Sequence, residues 1–236
     1  MAERTKGEKV YRVFQHISQN YDGANERISL GMERGWKKHL IRAVARQAEE
    51  NSRVLDVCCG TGDISLALAK ARPDLQLTGL DFSPAMLAVA KEKGRAFTNV
   101  TWQQGDAMHL PFADNTFSAV CISFGLRNTA DYLHVLREMT RVVKPAGWVY
   151  CLDSFVPDSV VIKPFYSLYF RYIMPFLGGG WRYRKEYTWL WQSTRDFLRK
   201  KELFALFGQA GLTDRKMESH LFGACVLHQG KKPAVE

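Results

Sequence analysis

The sequence predicts an α/β fold, a doubly wound and mostly parallel sheet of seven strands with helices on both faces. Two observations predict it. Through the middle of the chain short apolar runs alternate with helical patterns, which is how strands joined by crossover helices read. The first of these runs, Arg53-Val-Leu-Asp-Val-Cys, stops at the turn Cys59-Gly-Thr-Gly62, and a helical pattern follows at once. A buried strand therefore feeds a helix N-terminus, and in such sheets ligands sit beyond the carboxyl ends of the strands.

Residues 1–50 read as helices punctuated by Gly23 and Gly31, with Arg and Lys along 33–38. The alternation then runs strand 53–58, helix 62–71, strand 75–80, helix 84–94, strand 99–104, strand 118–124, helix 131–143 and strand 148–154. Pro145-Ala-Gly147 marks a turn before the fifth strand. After Asp158 aromatic residues crowd the chain as far as Trp191, interleaved with Lys163, Arg171, Arg182, Arg184 and Lys185. Arg171, Pro175 and Gly178 to Gly180 interrupt that segment, so it lacks the roughly 20 apolar residues that span a bilayer. A helix over 201–210 and strands near 213–219 and over 224–229 return the chain to the sheet.

A chain of 236 residues with 46% hydrophobic content suits one large domain with an insertion and excludes disorder over most of its length. Its five cysteines form neither a paired framework nor a C-x-x-C pattern, so no zinc site is expected and a reducing compartment is. The charged start lacks a signal peptide's apolar core, so the expected location is the cytoplasm. The net charge of +9 admits nucleic acid, an anionic membrane face or an acidic ligand. Without a recognisable RNA-binding module, nucleic acid ranks last.

Gly60 and Gly62 let backbone approach a ligand closely, and Asp56 sets a carboxylate at the strand's end. Asp81, followed by Phe82, ends the second strand, where a carboxylate can accept hydrogen bonds from both hydroxyls of a ribose. Equally, it could be an acidic cap before Ser83-Pro84. Asp106 follows the third strand, placed either to accept from an adenine amine or to serve as a loop residue before Leu110-Pro-Phe112. A dinucleotide site would want a third glycine where Ser65 stands.

The order Asp56, Gly60, Gly62, Asp81, Asp106 resembles the S-adenosylmethionine site of the class I methyltransferases, with Cys58 where that family has its first glycine. Ser123-Phe-Gly-Leu-Arg-Asn128, with Asp114-Asn-Thr-Phe117 before it and Arg141-Val-Val-Lys-Pro145 after it, narrows the resemblance to the C-methyltransferases of menaquinone and ubiquinone biosynthesis. Phe14-x2-Ile17-x3-Tyr21-Asp22 and His228-x-Gly230 are similar to the same family. The resemblance implies a Rossmann-like class I fold, S-adenosylmethionine as cofactor, and cofactor contacts at Thr61, Asp81, Asp106, Ala107 and Ser123. It also implies a division into a helical lid (1–50), a cofactor-binding core (51–156), an acceptor-side insert (157–200) and a final helix and strands (201–236).

The implied reaction is methylation of a ring carbon of a demethylated isoprenoid hydroquinone, without metal. Such a ring reacts once a neighbouring hydroxyl loses its proton, so the site needs a proton acceptor or a phenolate stabiliser. Arg127 cannot deprotonate near neutral pH and fits as a cation aimed at the oxyanion, with Asn128 positioning the ring oxygen; a surface ion pair with Asp131 is the competing reading. Tyr21, Asp22, His16 and then His109 are the candidate acceptors. The segment 160–191 is read as a peripheral membrane contact, a cover for a prenyl tail or a homodimer surface. Departures from the family lie on the acceptor side, at Tyr187-Thr-Trp189-Leu190 and His220-Leu-Phe-Gly223. Another aromatic or polyketide acceptor, or a cofactor-binding subunit without catalysis, are the alternatives.

Overall fold

The computed structural model describes residues 6–18, 21–174 and 184–234. Three helices come first, α1 (Lys6–Ile17), α2 (Tyr21–Ile28) and α3 (Met32–Gln47). The alternation follows as β1 (Arg53–Val57), α4 (Asp63–Ala71), β2 (Gln76–Asp81), α5 (Pro84–Lys93), β3 (Val100–Gln104), β4 (Phe117–Ser123), α6 (Tyr132–Val142) and β5 (Val143–Ser154). The insert holds α7 (Ile162–Leu168), continued as one π-helical stretch Tyr169–Ile173, and α8 (Arg184–Arg195). The chain closes with α9 (Lys200–Gln209), β6 (Thr213–His220) and β7 (Cys225–Lys231).

The sheet order is β3-β2-β1-β4-β5-β7-β6. β1 to β5 pair in parallel, while β7 runs antiparallel to both β5 and β6. Strand order reverses between β1 and β4, so their carboxyl ends open the crevice where doubly wound sheets take ligands.

Burial on both faces explains why β1 and β4 read as unbroken apolar runs. Leu55, Val57, Val120 and Ile122 point to one core with Leu136 of α6 and Phe207 of α9. Val54, Ala119 and Cys121 point to the other, against Leu40 and Val44 of α3 and Leu68 of α4. Each such side chain contributes about 1.5–3 kcal/mol by leaving water.

One expectation needs correction. Pro145-Ala-Gly147 does not precede the fifth strand but lies inside it, as an outward bulge: Phe117 pairs with Val143 and Ala119 next with Trp148. The bulge holds because Ala146, at φ 63°, donates its N–H to the Lys232 carbonyl at 3.0 Å.

Candidate active site

After Val57 the chain turns sharply, with Cys58, Gly60 and Gly62 all at positive φ (54°, 56° and 84°). Cys58 thus holds a left-handed conformation that glycine adopts without cost. Its side chain fits because position 125 is glycine, where an added Cβ would lie 2.6 Å from the Cys58 Cβ. Asp81 ties the turn down: its Oδ2 accepts from the Gly60 N–H and its Oδ1 from the Ser83 N–H, each at 2.9 Å. Burial pushes the Asp81 carboxyl above its ordinary pKa, against the pull of these backbone N–H groups. A carboxylate has about four lone-pair sites, so acceptor capacity remains for a ligand. The two readings of Asp81 are therefore compatible.

A cavity of about 660 Å³ opens beside this turn, and Gly60, Asp81, Phe82, Asp106, Ala107, Ser123 and Asn128 all line it. Helix α1 covers it, with Tyr11 packed edge-on against Phe82 at 5.6 Å between ring centroids. Two buried polar atoms here have no hydrogen-bond partner among the described residues, Ser123 Oγ and Asn128 Oδ1. Leaving each unpaired costs about 1–3 kcal/mol. Acceptors of this kind suit the ammonium and hydroxyl groups of S-adenosylmethionine, so the donor set fits that cofactor.

Three expected cofactor residues stand behind this wall and not in it. Asp56 is buried, its Oδ2 accepting from Ser65 N–H at 3.2 Å and Ser65 Oγ–H at 2.6 Å. Burial raises its pKa to about 7, opposed by the Ser65 hydrogen bonds. It fastens β1 to the first turn of α4. Gly62 is where Trp102 packs against the turn, too close for any Cβ. The buried Thr61 hydroxyl donates to Asp22 Oδ1 at 2.6 Å.

That contact corrects the reading of Asp22 as a proton acceptor. Asp22 lines neither cavity of the site; its carboxylate is taken by Thr61 and by Lys93, 2.7 Å away. Lys93 also pairs with Asp63, which pairs with Lys37, which pairs with Glu33. Burial alone would raise the Asp63 carboxyl, but Lys37 and Lys93 hold it below its ordinary pKa. This chain of charges fastens α2 and α3 to the turn.

A second cavity, about 410 Å³, lies beyond the first and is walled by α2, α3, α7 and the Leu221-Phe222 loop. Tyr21 and Phe124 line both cavities and form the boundary between them. Arg127 reaches the second one, whereas Asn128 faces only the first. Asn128 therefore faces the first cavity and is not in the wall that Arg127 shares, where it was expected to position a ring oxygen.

Arg127 does not pair with Asp131, which instead caps α6 by accepting from the His134 N–H at 3.0 Å. Its guanidinium binds Asp153 on β5, whose side chain is fully buried. Burial opposes the Arg127 charge, but Asp153 and the phenols of Tyr21 and Tyr166 raise its pKa overall. The Arg127 Nε–H is buried with no acceptor among the described residues.

For Tyr21, burial and Glu33 push the phenol above its ordinary pKa, outweighing Lys37 and Arg127. It is a hydrogen-bond donor at neutral pH and not a base. His16 and His109 are both exposed and line neither cavity. Asp153 was missed from sequence, although its signal was present: like Asp56 and Asp81, it is a carboxylate near the carboxyl end of an apolar strand.

The model of the ubiE/COQ5 methyltransferase family matches residues 2–232. The chain belongs to the ubiE/COQ5 methyltransferase family. Within it, the Staphylococcus aureus (strain JH9) demethylmenaquinone methyltransferase is 45% identical over 227 residues, covering 95% of this chain and 93% of the relative. Among solved structures, the methyltransferase bound to the Haloferax volcanii Trm112 activator matches with a TM-score of 0.67 at 22% identity, covering 93% of this chain and 97% of its own. A SAM-dependent methyltransferase of Thermotoga maritima matches with a TM-score of 0.64 at 18% identity, covering 94% and 99%. These two share the Rossmann-like class I fold. As a ubiE/COQ5 family member the chain is an S-adenosylmethionine-dependent methyltransferase, and the cavity beside Gly60 stands where that fold takes its cofactor.

Proposed function

We propose that this enzyme transfers a methyl group to a ring carbon of a demethylated isoprenoid hydroquinone of the demethylmenaquinol type. The observation that carries the reading is the unpaired Nε–H of Arg127 at the wall of a mostly apolar second cavity that shares Tyr21 and Phe124 with the cofactor cavity. The name of the 45% identical relative supports the same acceptor.

S-adenosylmethionine supplies a methyl already activated on a sulfonium, so the protein's work is alignment, exclusion of water and charge stabilisation. Asp81 would hold the ribose, Asp106 the adenine amine, and Ser123 Oγ with Asn128 Oδ1 the methionine portion. Tyr21 and Phe124 leave between them the passage through which the ring carbon meets the methyl. Arg127 donates its Nε–H to the ring oxygen as negative charge builds there, with Asp153 fixing the guanidinium. Bound in the first cavity, S-adenosylmethionine would supply the methyl group and its sulfur would keep the electron pair of the broken bond. The hydrogen that the methyl replaces on the ring would leave as a proton to solvent water, with Asp22, His16 and His109 all outside the acceptor cavity.

The apolar groove formed by Ile162, Phe165, Tyr166 and Phe170 suits a prenyl tail. Leu30, Phe165 and Phe222, which line it, are exposed by 67%, 73% and 72%, and Leu168 and Tyr172, on the same helical segment as Phe165, by 56% and 61%. This rim supports peripheral contact with a membrane surface from which a tailed acceptor enters. No helix among the described residues is long and apolar enough to cross a membrane. Trp181 and Tyr183, expected to share in the contact, lie outside the described residues.

The test is transfer of labelled methyl to detergent-solubilised demethylmenaquinol by the purified enzyme, with mass spectrometry of the product. A quinol one methyl heavier is expected. If the enzyme binds S-adenosylmethionine yet leaves this acceptor unmethylated, the acceptor assignment fails.

A further inference from the structure

On the far side of the Leu221-Phe222 loop, three side chains with metal-binding atoms converge. His39 projects from α3; Glu218 and His220 project from the same face of β6, two residues apart on an edge strand. One ligand atom from each lies within 4.8 Å of the other two. His39 Nδ1 is 3.0 Å from Glu218 Oε1, and His220 Nε2 is 3.6 Å from the same oxygen. Ligands of a tetrahedral ion with bonds near 2.0–2.1 Å sit about 3.4 Å apart. The two distances bracket that value.

Hydrogen bonding does not fully account for the cluster. His220 Nε2 is buried and has no hydrogen-bond partner among the described residues, since Glu218 is beyond reach at 3.6 Å. It stands within metal-ligand spacing of the other two groups. Side-chain exposure of 40% at His39 and 51% at Glu218 leaves an approach from solvent and room for water as a fourth ligand.

We propose that His39, Glu218 and His220 bind a divalent transition-metal ion, with zinc as the best fit, in a site separate from methyl transfer. Two imidazoles and one carboxylate favour zinc, nickel or cobalt over magnesium and calcium, which prefer all-oxygen sets. The absence of C-x-x-C spacing gave no hint of it, because its ligands come from distant parts of the chain.

The position has a consequence for the acceptor cavity. Trp36, one turn before His39 on α3, and Leu221 and Phe222, directly after His220, all line that cavity. Both Leu221 and Phe222 adopt positive φ (46° and 56°), a loop conformation few L residues hold without support. A bound ion would clamp α3 to the end of β6 and fix two walls of the acceptor cavity at once.

Calorimetric titration of the full-length protein with zinc chloride, and optical titration with cobalt(II), test this. One equivalent is expected to bind with a nitrogen- and oxygen-type cobalt spectrum. His39→Gln and Glu218→Gln should each weaken binding by more than the roughly 10–100-fold that loss of an outer-sphere partner costs. Both side chains are about half exposed, so metal-free melting should change little in the variants, while zinc should raise the wild-type melting temperature alone. Unchanged affinity in the variants, thiolate charge-transfer bands in the cobalt spectrum, or a dissociation constant above about 1 mM would each overturn the assignment.

Discussion

Arg127 and Asp153 form an ion pair sealed inside the protein, Asp153 fully buried and Arg127 8% exposed, at the wall of the acceptor cavity. Breaking a pair of this kind by truncating one partner leaves a bare buried charge and costs about 3–5 kcal/mol. Arg127→Ala therefore confounds folding with chemistry. Arg127→Lys keeps the charge for Asp153 but removes the Nε–H. We expect S-adenosylmethionine affinity by calorimetry to be preserved and turnover to fall by roughly 10²-fold, as for loss of one oxyanion donor. Near-normal turnover in the lysine variant would remove Arg127 from the chemistry.

Asp81 ties down the glycine turn and, in the proposed site, also holds the cofactor, which separates its variants. Asp81→Asn can still accept one backbone N–H but loses the charge offered to the ribose hydroxyls. A charged hydrogen bond contributes about 1.5–3 kcal/mol, so affinity should drop at least about tenfold with little loss of thermal stability. Wild-type affinity for the cofactor would count against the ribose assignment.

The sheet was legible because parallel strands buried on both faces leave unbroken apolar runs, and because a glycine turn announces the β1–α4 junction. The two carboxylates that line the first cavity, Asp81 and Asp106, were legible for the same local reason, standing at the end of β2 and just beyond the end of β3. What could not be read was any pairing across elements. Nothing in the sequence shows that Asp22 leans on Thr61 and Lys93, that Arg127 chooses Asp153 over the nearer Asp131, or that Asn128 turns toward the first cavity. Those choices follow from how α2 docks and how the short helix Leu126–Asn128 turns.

His228 gives a pH-dependent prediction. It is fully buried on β7, its Nε2 within 2.8 Å of the Lys200 carbonyl, and burial lowers its pKa to about 4 from the ordinary 6.5. The folded state thus binds fewer protons than the unfolded one between those values. The neutral ring's stability contribution is complete above pH 6.5 and is lost as pH falls toward 4, about 3 kcal/mol in all. His228→Gln can keep the Lys200 contact without titrating. Denaturant unfolding should show a shallower acid loss in the variant, and parallel curves would refute the assignment.

Membrane contact predicts a split between acceptors. Replacing Phe165, Leu168 and Phe222 with serine should reduce co-sedimentation with anionic liposomes and raise KM for a long-tailed hydroquinone. KM for a tail-less, water-soluble hydroquinone should not change. If both acceptors respond alike, the rim shapes the cavity and does not contact lipid.

Asp22→Asn tests the charge chain that holds α2 to the glycine turn. Losing the carboxylate frees Lys93 from one partner but leaves Asp63. Faster cofactor exchange in stopped-flow measurements is expected, with the chemical step intact in single turnover. A lost chemical step with unchanged exchange would return Asp22 to the role of proton acceptor.

The fit between Cys58 and Gly125 reaches beyond the turn itself. The Cβ at position 58 occupies the space that a methyl group at 125 would need, so position 125 cannot gain a side chain while position 58 keeps one. A relative with glycine at 58 has room for alanine at 125, and this chain has not. The glycine turn beside the first cavity and the Ser123–Asn128 stretch are thereby coupled, since a segment with a side chain at 125 fits only a turn with glycine at 58.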